Sequence, residues 1–416
     1  MRVQTGVSFL FALVLACQAK KDYSGYQVLT TGKLSPVQVD ALRNLQTSDE
    51  RFDFWKEAHP DGAADVMSSA DHLTALKEFL TKHNIDYSVK IQDVGEAIQI
   101  SEKPSPTKKS NPNARYNLNW DEYGSHDDFN EFIEEIASQN SWASVRSIGK
   151  SVEGRDMKVL ELTKGGSGAP NIFIEAGIHA REWIAPAVAT YTVKELVENY
   201  DSHPEYLDNF NFYVLPCANP DGYEYSRSTD RLWRKNRGLN DGALCKGVDL
   251  NRNWEFHWAE SGVSDSPCSD VFCGYTPTSE IESQNIKAFY STLSPVPELT
   301  VCFHSAANLW LYPYGYAYDS YPDNVDEIRR LGEDAVDALN AVNGQSFECI
   351  NSAELYPAAG ASDDYYASLG SRFVYTPELR DNGFGFVLPP EYIIPSGEEV
   401  WAAWKVMLDK IMPNKE

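Results

Sequence analysis

Nowhere in the 416 residues does an apolar run reach about 18, so no segment is long enough to cross a bilayer as a helix. Asn-x-Ser/Thr is also missing, which excludes N-glycosylation. Basic residues are the minority: 36 Lys and Arg against 61 Asp and Glu leave a net charge of -25 and a pI near 4.7. Nucleic-acid phosphates would repel such a chain, which removes that class of partner. The acidity serves solubility first and attraction of basic peptides second. What is present is ordinary for a globular protein. With 42% hydrophobic and 12% aromatic residues, the chain is not disordered. Its length accommodates a large core and a second, smaller unit.

The N-terminus reads as an export signal over residues 1–19. Arg2 gives a positive start, residues 7–16 are apolar, and Cys17-Gln18-Ala19 offers small residues for cleavage after Ala19. The expectation is a secreted, soluble protein. Cys17 leaves with the signal, so Cys217, Cys245, Cys268, Cys273, Cys302 and Cys349 remain. An even number in an oxidising compartment suggests disulfides, although Cys217 and Cys302 lie in apolar strand-like runs that suit buried thiols equally. Residues 101–115 are rich in Pro, Ser, Lys and Asn and nearly free of apolar side chains, as expected of an exposed linker. Within it, Lys108-Lys109 and Arg115 are accessible sites for a trypsin-like protease.

The chain divides around that linker. In residues 20–100, strands are expected at 26–29 and 86–91 and helices at 36–45 and 72–83. Leu73, Leu76, Phe79 and Leu80 share one helical face. In residues 116–416, strands at 171–175, 211–215, 299–303 and 373–378 alternate with helices at 184–200 and 324–342. A last helix is predicted to begin with Ser396 as N-cap and Glu399 completing a capping box. It would bury Val400, Trp404, Met407 or Leu408, and Ile411. This alternation predicts an α/β fold with a mixed, mainly parallel twisted sheet covered by helices on both faces. Ligands in such folds bind beyond the carboxyl ends of the strands.

His179, His304 and Glu378 all fall at or just past predicted strand ends, and Glu182 follows His179 on the same loop. Two imidazoles and a carboxylate leave a zinc ion one open position, and a further carboxylate beside it supplies proton transfer for peptide hydrolysis. Taken alone, His179-x-x-Glu182 is a weak signal; the downstream histidine at a second strand end strengthens it. Around these residues lie Leu232-Trp233-Arg234-Lys235, Asp249-Leu250-Asn251-Arg252-Asn253-Trp254, Tyr312-Pro313-Tyr314-Gly315-Tyr316 and Thr376-Pro377-Glu378-Leu379-Arg380-Asp381.

Together these motifs closely resemble the zinc carboxypeptidases of the pancreatic A/B family, from about Tyr116 to the C-terminus. More loosely, residues 20–100 resemble that family's pro-domain, a ferredoxin-like α+β unit. The resemblance implies a carboxypeptidase-like fold and one Zn2+ per chain held by His179, Glu182 and His304; that ligand set comes from the family. It implies Asp249 as the carboxylate orienting the first histidine. Glu378 would be the general base acting on water, and Arg234 the cation stabilising the oxyanion. Asn251, Arg252 and Tyr356 would clamp the substrate's terminal carboxylate, a role that suits a guanidinium's paired hydrogen bonds. Arg181 and Ser305 would bind substrate further out, and Phe386 would line the specificity pocket.

Asp363 aligns with the floor of that pocket, as in carboxypeptidase B, which implies release of C-terminal Lys or Arg; the alternative is A-type release of aromatic or aliphatic residues. Some positions depart from the B pattern. Gly315 is A-like, Asn351 matches neither type, and Ala306 stands where a Tyr is usual. Asp364 follows Asp363, so a one-residue shift would preserve the acid but change its geometry. The family pairs Cys245 with Cys268 and would place cis peptides at Ser305-Ala306, Pro313-Tyr314 and Arg380-Asp381. Implied partners are peptides with a free C-terminus and an activating trypsin-like protease, with neither nucleic acid nor membrane, and a monomer as the simplest assembly. A competing reading is a relative that binds C-termini without catalysis, but no ligand or base position is missing.

Overall fold

The computed structural model describes residues 20–104, 115–240 and 242–413. The expected export signal at 1–19 and the Lys108-Lys109 site lie outside these residues. The other cleavage candidate, Arg115, is exposed; its guanidinium Nε donates to Gln139 Oε1 at 3.1 Å.

The N-terminal unit contains strands β1 (Gln27–Thr31), β2 (Phe52–Lys56), β3 (Asp65–Ser68) and β4 (Tyr87–Ile91). Helices Pro36–Ser48 and Leu73–Lys82 are interleaved as βαββαβ. Sheet order β2-β3-β1-β4 with every pairing antiparallel is the expected ferredoxin-like arrangement. Successive strand residues point to opposite faces, and each face carries apolar side chains. Leu29, Phe54 and Val66 meet Leu42, Leu76 and Leu80 of the two helices. Val28, Trp55 and Met67 turn the other way, onto Leu232, Phe386 and Val387 of the large unit. One sheet face therefore makes this unit's own core, and the other makes its dock.

The large unit is built on eight strands: β5 (Ala143–Lys150), β6 (Asp156–Leu162), β7 (Asn171–Ala176), β8 (Asn211–Leu215), β9 (Leu299–Ser305), β10 (Leu309–Tyr312), β11 (Glu348–Asn351) and β12 (Phe373–Leu379). Their order is β11-β10-β12-β9-β7-β8-β6-β5. The block β12-β9-β7-β8 is parallel, as is β10 with β11, while β10–β12, β6–β8 and β5–β6 are antiparallel. Every residue of β7 and β9 is buried, the pattern of strands covered on both faces. Helices His126–Gln139, Ile184–Glu198, Val325–Asn343 and Ile393–Ile411 pack on one face. Helices Ile281–Tyr290 and Ser362–Ser368 cover the other. The mixed, mainly parallel, helix-flanked sheet is as predicted.

One sequence expectation of the fold requires correction. The last helix starts at Ile393, not after Ser396. Pro395 sits in its first turn, where a missing N–H costs no helical bond. Ser396 is therefore internal and donates its hydroxyl to the Tyr392 carbonyl, while Glu399 pairs with buried Arg380 instead of capping. The cysteines follow the one expected pairing and settle the four left open. Cys245–Cys268 is bridged, with Cα atoms 5.0 Å apart, but Cys217, Cys273, Cys302 and Cys349 are free thiols. Burial, above all, pushes the Cys217 and Cys302 thiols upward, so they pack as small apolar groups.

Candidate active site

Strands β12, β9 and β7 are adjacent and parallel, and their carboxyl ends gather the distant residues. His304 and Glu378 are register partners on β9 and β12. β7 ends at Ala176, and the chain turns through Gly177 (φ 68°) to deliver His179; a Cβ at Gly177 would approach Pro186 Cγ within 3.0 Å. Backbone topology thus brings together residues separated by about half the chain.

His179 Nδ1 lies 2.8 Å from Glu182 Oε1 and 3.1 Å from His304 Nδ1, which is itself 3.2 Å from Glu182 Oε2. Candidate donor atoms of the three buried side chains all fall within 4.8 Å of one another. On the far side of the ring, His179 Nε2 donates to Asp249 Oδ1 at 3.0 Å. That bond fixes the tautomer and leaves the Nδ1 lone pair facing Glu182 and His304. Two imidazole nitrogens and a carboxylate converging this closely suit a divalent cation better than any sharing of protons, so the donor set fits zinc.

Asp249 Oδ2 also accepts from Arg234 Nε at 3.1 Å and Nη2 at 3.0 Å. Burial opposes ionisation of Asp249, but Arg234 and His179 hold it well below the usual carboxylate range. Glu182 is likewise held low against burial by His179 and His304. Burial would discharge His304, yet Glu182 and then Glu378 raise it to about 9. Glu378 is pushed up to about 8, chiefly by burial and also by the charges of Glu182 and Glu57.

A cavity of about 50 Å³ is lined by His179, Arg181, Glu182, Arg234, Asn251, His304, Ser305, Tyr356, Glu378 and Phe386, ten of the residues singled out from sequence. The others stand behind it. Arg252 Nη2 donates to Tyr356 Oη at 3.4 Å, and Asn251 Oδ1 accepts from Ser362 N at 2.8 Å. Asp363 Oδ2 accepts from Thr376 Oγ1 at 3.1 Å and Ser352 Oγ at 3.4 Å. Asp364 is engaged differently, accepting from the backbone N–H groups of Gly315 at 2.7 Å and Tyr316 at 3.0 Å. Asn351 closes local backbone bonds to Tyr312 and Ala353.

The N-terminal unit supplies part of the wall, and nothing in the sequence marked its contribution. Asp53 accepts both Arg181 Nη1 contacts at 3.0 Å, while Arg181 lies 4.1 Å over the Phe386 ring and Trp55 packs on that ring at 5.3 Å. Glu57 reaches the same cavity as the metal-ligand candidates. Lys90 bridges Asp65 of its own unit and Asp381 at the base of the loop carrying Phe386. A run of acid between aromatics looks like any strand, so only the docked fold gives Asp53 meaning.

Ser305-Ala306 and Pro313-Tyr314 are cis as expected. Arg380-Asp381 is not; among the described residues the third cis bond is Ser294-Pro295. At the expected position, the Asp381 N–H instead reaches Asn308 Oδ1 at 2.7 Å, and its carboxylate accepts from Gly385 N.

Residues 129–403 match the zinc carboxypeptidase family, and residues 34–100 match the carboxypeptidase activation peptide. Carboxypeptidase B of Astacus astacus is 46% identical over 70% of this chain and 97% of its own length. Carboxypeptidase A1 of Bos taurus is 33% identical over 98% of this chain and 99% of its own length. Among solved structures, carboxypeptidase A from Helicoverpa armigera superposes with a TM-score of 0.85 at 28% identity, covering 93% of this chain and 97% of the other. Thrombin-activatable fibrinolysis inhibitor gives a TM-score of 0.83 at 28% identity, over 94% and 99%. With a buried His-Glu-His group at the strand ends and an activation peptide docked over it, the chain belongs to the zinc carboxypeptidase family and is a metalloexopeptidase in zymogen form.

Proposed function

We propose that this zymogen is secreted, is activated by a trypsin-like cut within residues 101–115, and then removes single C-terminal Lys or Arg residues. Residues 20–100 are the released pro-domain, and residues 116–416 act as a monomeric enzyme. The export pattern over residues 1–19 supports secretion.

His179, Glu182 and His304 hold the zinc, which when bound supplies Lewis-acid charge that polarises a carbonyl and acidifies water. Asp249 positions His179 and Arg234 together, so the oxyanion cation and the metal ligand are set by one carboxylate. Glu378 removes a proton from the attacking water and passes it to the leaving amine; a carboxyl raised to about 8 by burial suits both halves of that transfer. Departure of the pro-domain removes the Glu57 charge and relaxes part of that shift. Arg252, Asn251 and Tyr356 receive the substrate's terminal carboxylate.

One observation carries the specificity: Asp363 is a buried acid held by hydroxyls, whereas neighbouring Asp364 is engaged by backbone N–H groups. A cationic substrate side chain would compensate Asp363. The similarity to carboxypeptidase B of Astacus astacus supports the same reading. Gly315 favours the A-type alternative. After trypsin treatment, matched peptides ending in Arg and Phe are to be compared; faster release of Arg is expected, and faster release of Phe would overturn the assignment.

A further inference from the structure

Glu175, the fifth residue of β7, is a carboxylate only 1% exposed that no step above employs. Its Oε2 accepts from Tyr366 Oη at 2.6 Å and its Oε1 from Ser362 Oγ at 3.2 Å. Both donors belong to helix Ser362–Ser368, whose second residue is Asp363. The Ser362 N–H is bound in turn by Asn251 Oδ1 at 2.8 Å. Ser362 is therefore tied to the carboxylate clamp through its backbone and to Glu175 through its side chain, which leaves the adjacent Asp363 little freedom to turn.

Glu175, Asp363 and Asp364 are all buried, and among the described residues none of them forms a salt bridge. Hydroxyls contact Glu175 and Asp363 and backbone N–H groups contact Asp364, and such donors hold a carboxylate in place without neutralising it. Burying several acids without a cation is unfavourable. Burial pushes the Glu175 carboxyl above its ordinary range, and hydrogen bonding from Tyr366 opposes this. A cation entering the pocket would relieve the cluster as a whole. A group placed only for packing would need neither the charge nor the two hydroxyl donors.

We infer that Glu175 is a positioning residue of the pocket for the substrate's last side chain, acting through Ser362 on the orientation of Asp363. The inference rests on the Lys/Arg reading above.

The test uses the full zymogen after trypsin cleavage and compares kcat/KM for matched peptides ending in Arg and Phe. Glu175→Gln is expected to lower the Arg-to-Phe ratio about tenfold, with the loss mainly in KM for Arg. Glu175→Asp keeps two acceptor oxygens for the Tyr366 and Ser362 hydroxyls, where the amide of Gln has one, and should retain more of the ratio than Gln does. Tyr366→Phe removes one donor, leaves the carboxylate, and should shift the ratio in the same direction by less; it also carries the test if the Gln variant fails to fold. Equal loss for both peptides, an unaltered ratio, or an Asp variant worse than Gln would overturn the inference. Absence of Arg preference in the wild type would instead overturn the specificity reading itself.

Discussion

Glu378 illustrates how much a single side chain owes to its surroundings. Its type is ordinary for a strand end, but burial beside Glu182 raises it to about 8, where it can accept and return a proton near neutrality. Replacing the carboxylate with an amide removes that capacity while preserving shape. Glu378→Gln should lower kcat by about 10³-fold, within the usual worth of a general base, while metal analysis still finds one zinc per chain. Near-normal turnover would remove Glu378 from the mechanism. Its identity and position were legible in sequence because a polar residue ends an apolar strand. Its proximity to Glu57 was not, because that contact joins parts of the chain with no shared local pattern.

At the scale of elements, strands β7, β9 and β12 were readable as apolar runs because both faces are buried, and periodicity then matters less than composition. Strand β5 was not, since it is an edge strand with no fully buried residue. The last helix misled for another reason: Ser396 and Glu399 have the spacing of a cap, but a buried arginine claims the glutamate. Helix His126–Gln139 makes a pH prediction. His126 Nε2 meets the Asp156 carbonyl at 3.0 Å, Nδ1 is buried without a partner, and burial lowers the pKa. The unfolded chain therefore binds the proton first. Stability is lost as pH falls below about 6.5, the ordinary histidine value. His126→Gln should make the decline between pH 7 and pH 5 shallower, as read from urea midpoints. An equally steep decline would place the acid sensitivity elsewhere.

The molecule as a whole is a cleft and the plug that fills it. The plug's docking sheet face carries Val28, Trp55 and Met67 alongside charged side chains, and its charged contacts fall on residues around the cleft: Asp53 on Arg181, and Lys90 on Asp381. Truncating one partner of a fully buried charge pair costs about 2–5 kcal/mol; Asp53 is partly exposed and Arg181 retains Asp270 at 3.7 Å, so the low end applies. Asp53→Ala should therefore raise hydrolysis by the uncleaved zymogen about tenfold or more, while the trypsin-cleaved forms of variant and wild type match. No rise before cleavage would show that the apolar dock alone keeps the cleft closed.

Sequence by itself determined the layered α/β plan and which histidines and acids end the central strands, because hydrophobic pattern and residue type are local properties. Tertiary structure alone decided the rest. It chose which of two neighbouring aspartates is tied up by backbone, which cysteines are bridged, where the last helix begins, and which side of a small sheet covers the zinc site. Each of those outcomes depends on a partner distant in sequence, and local pattern carries no trace of what the folded chain places opposite it.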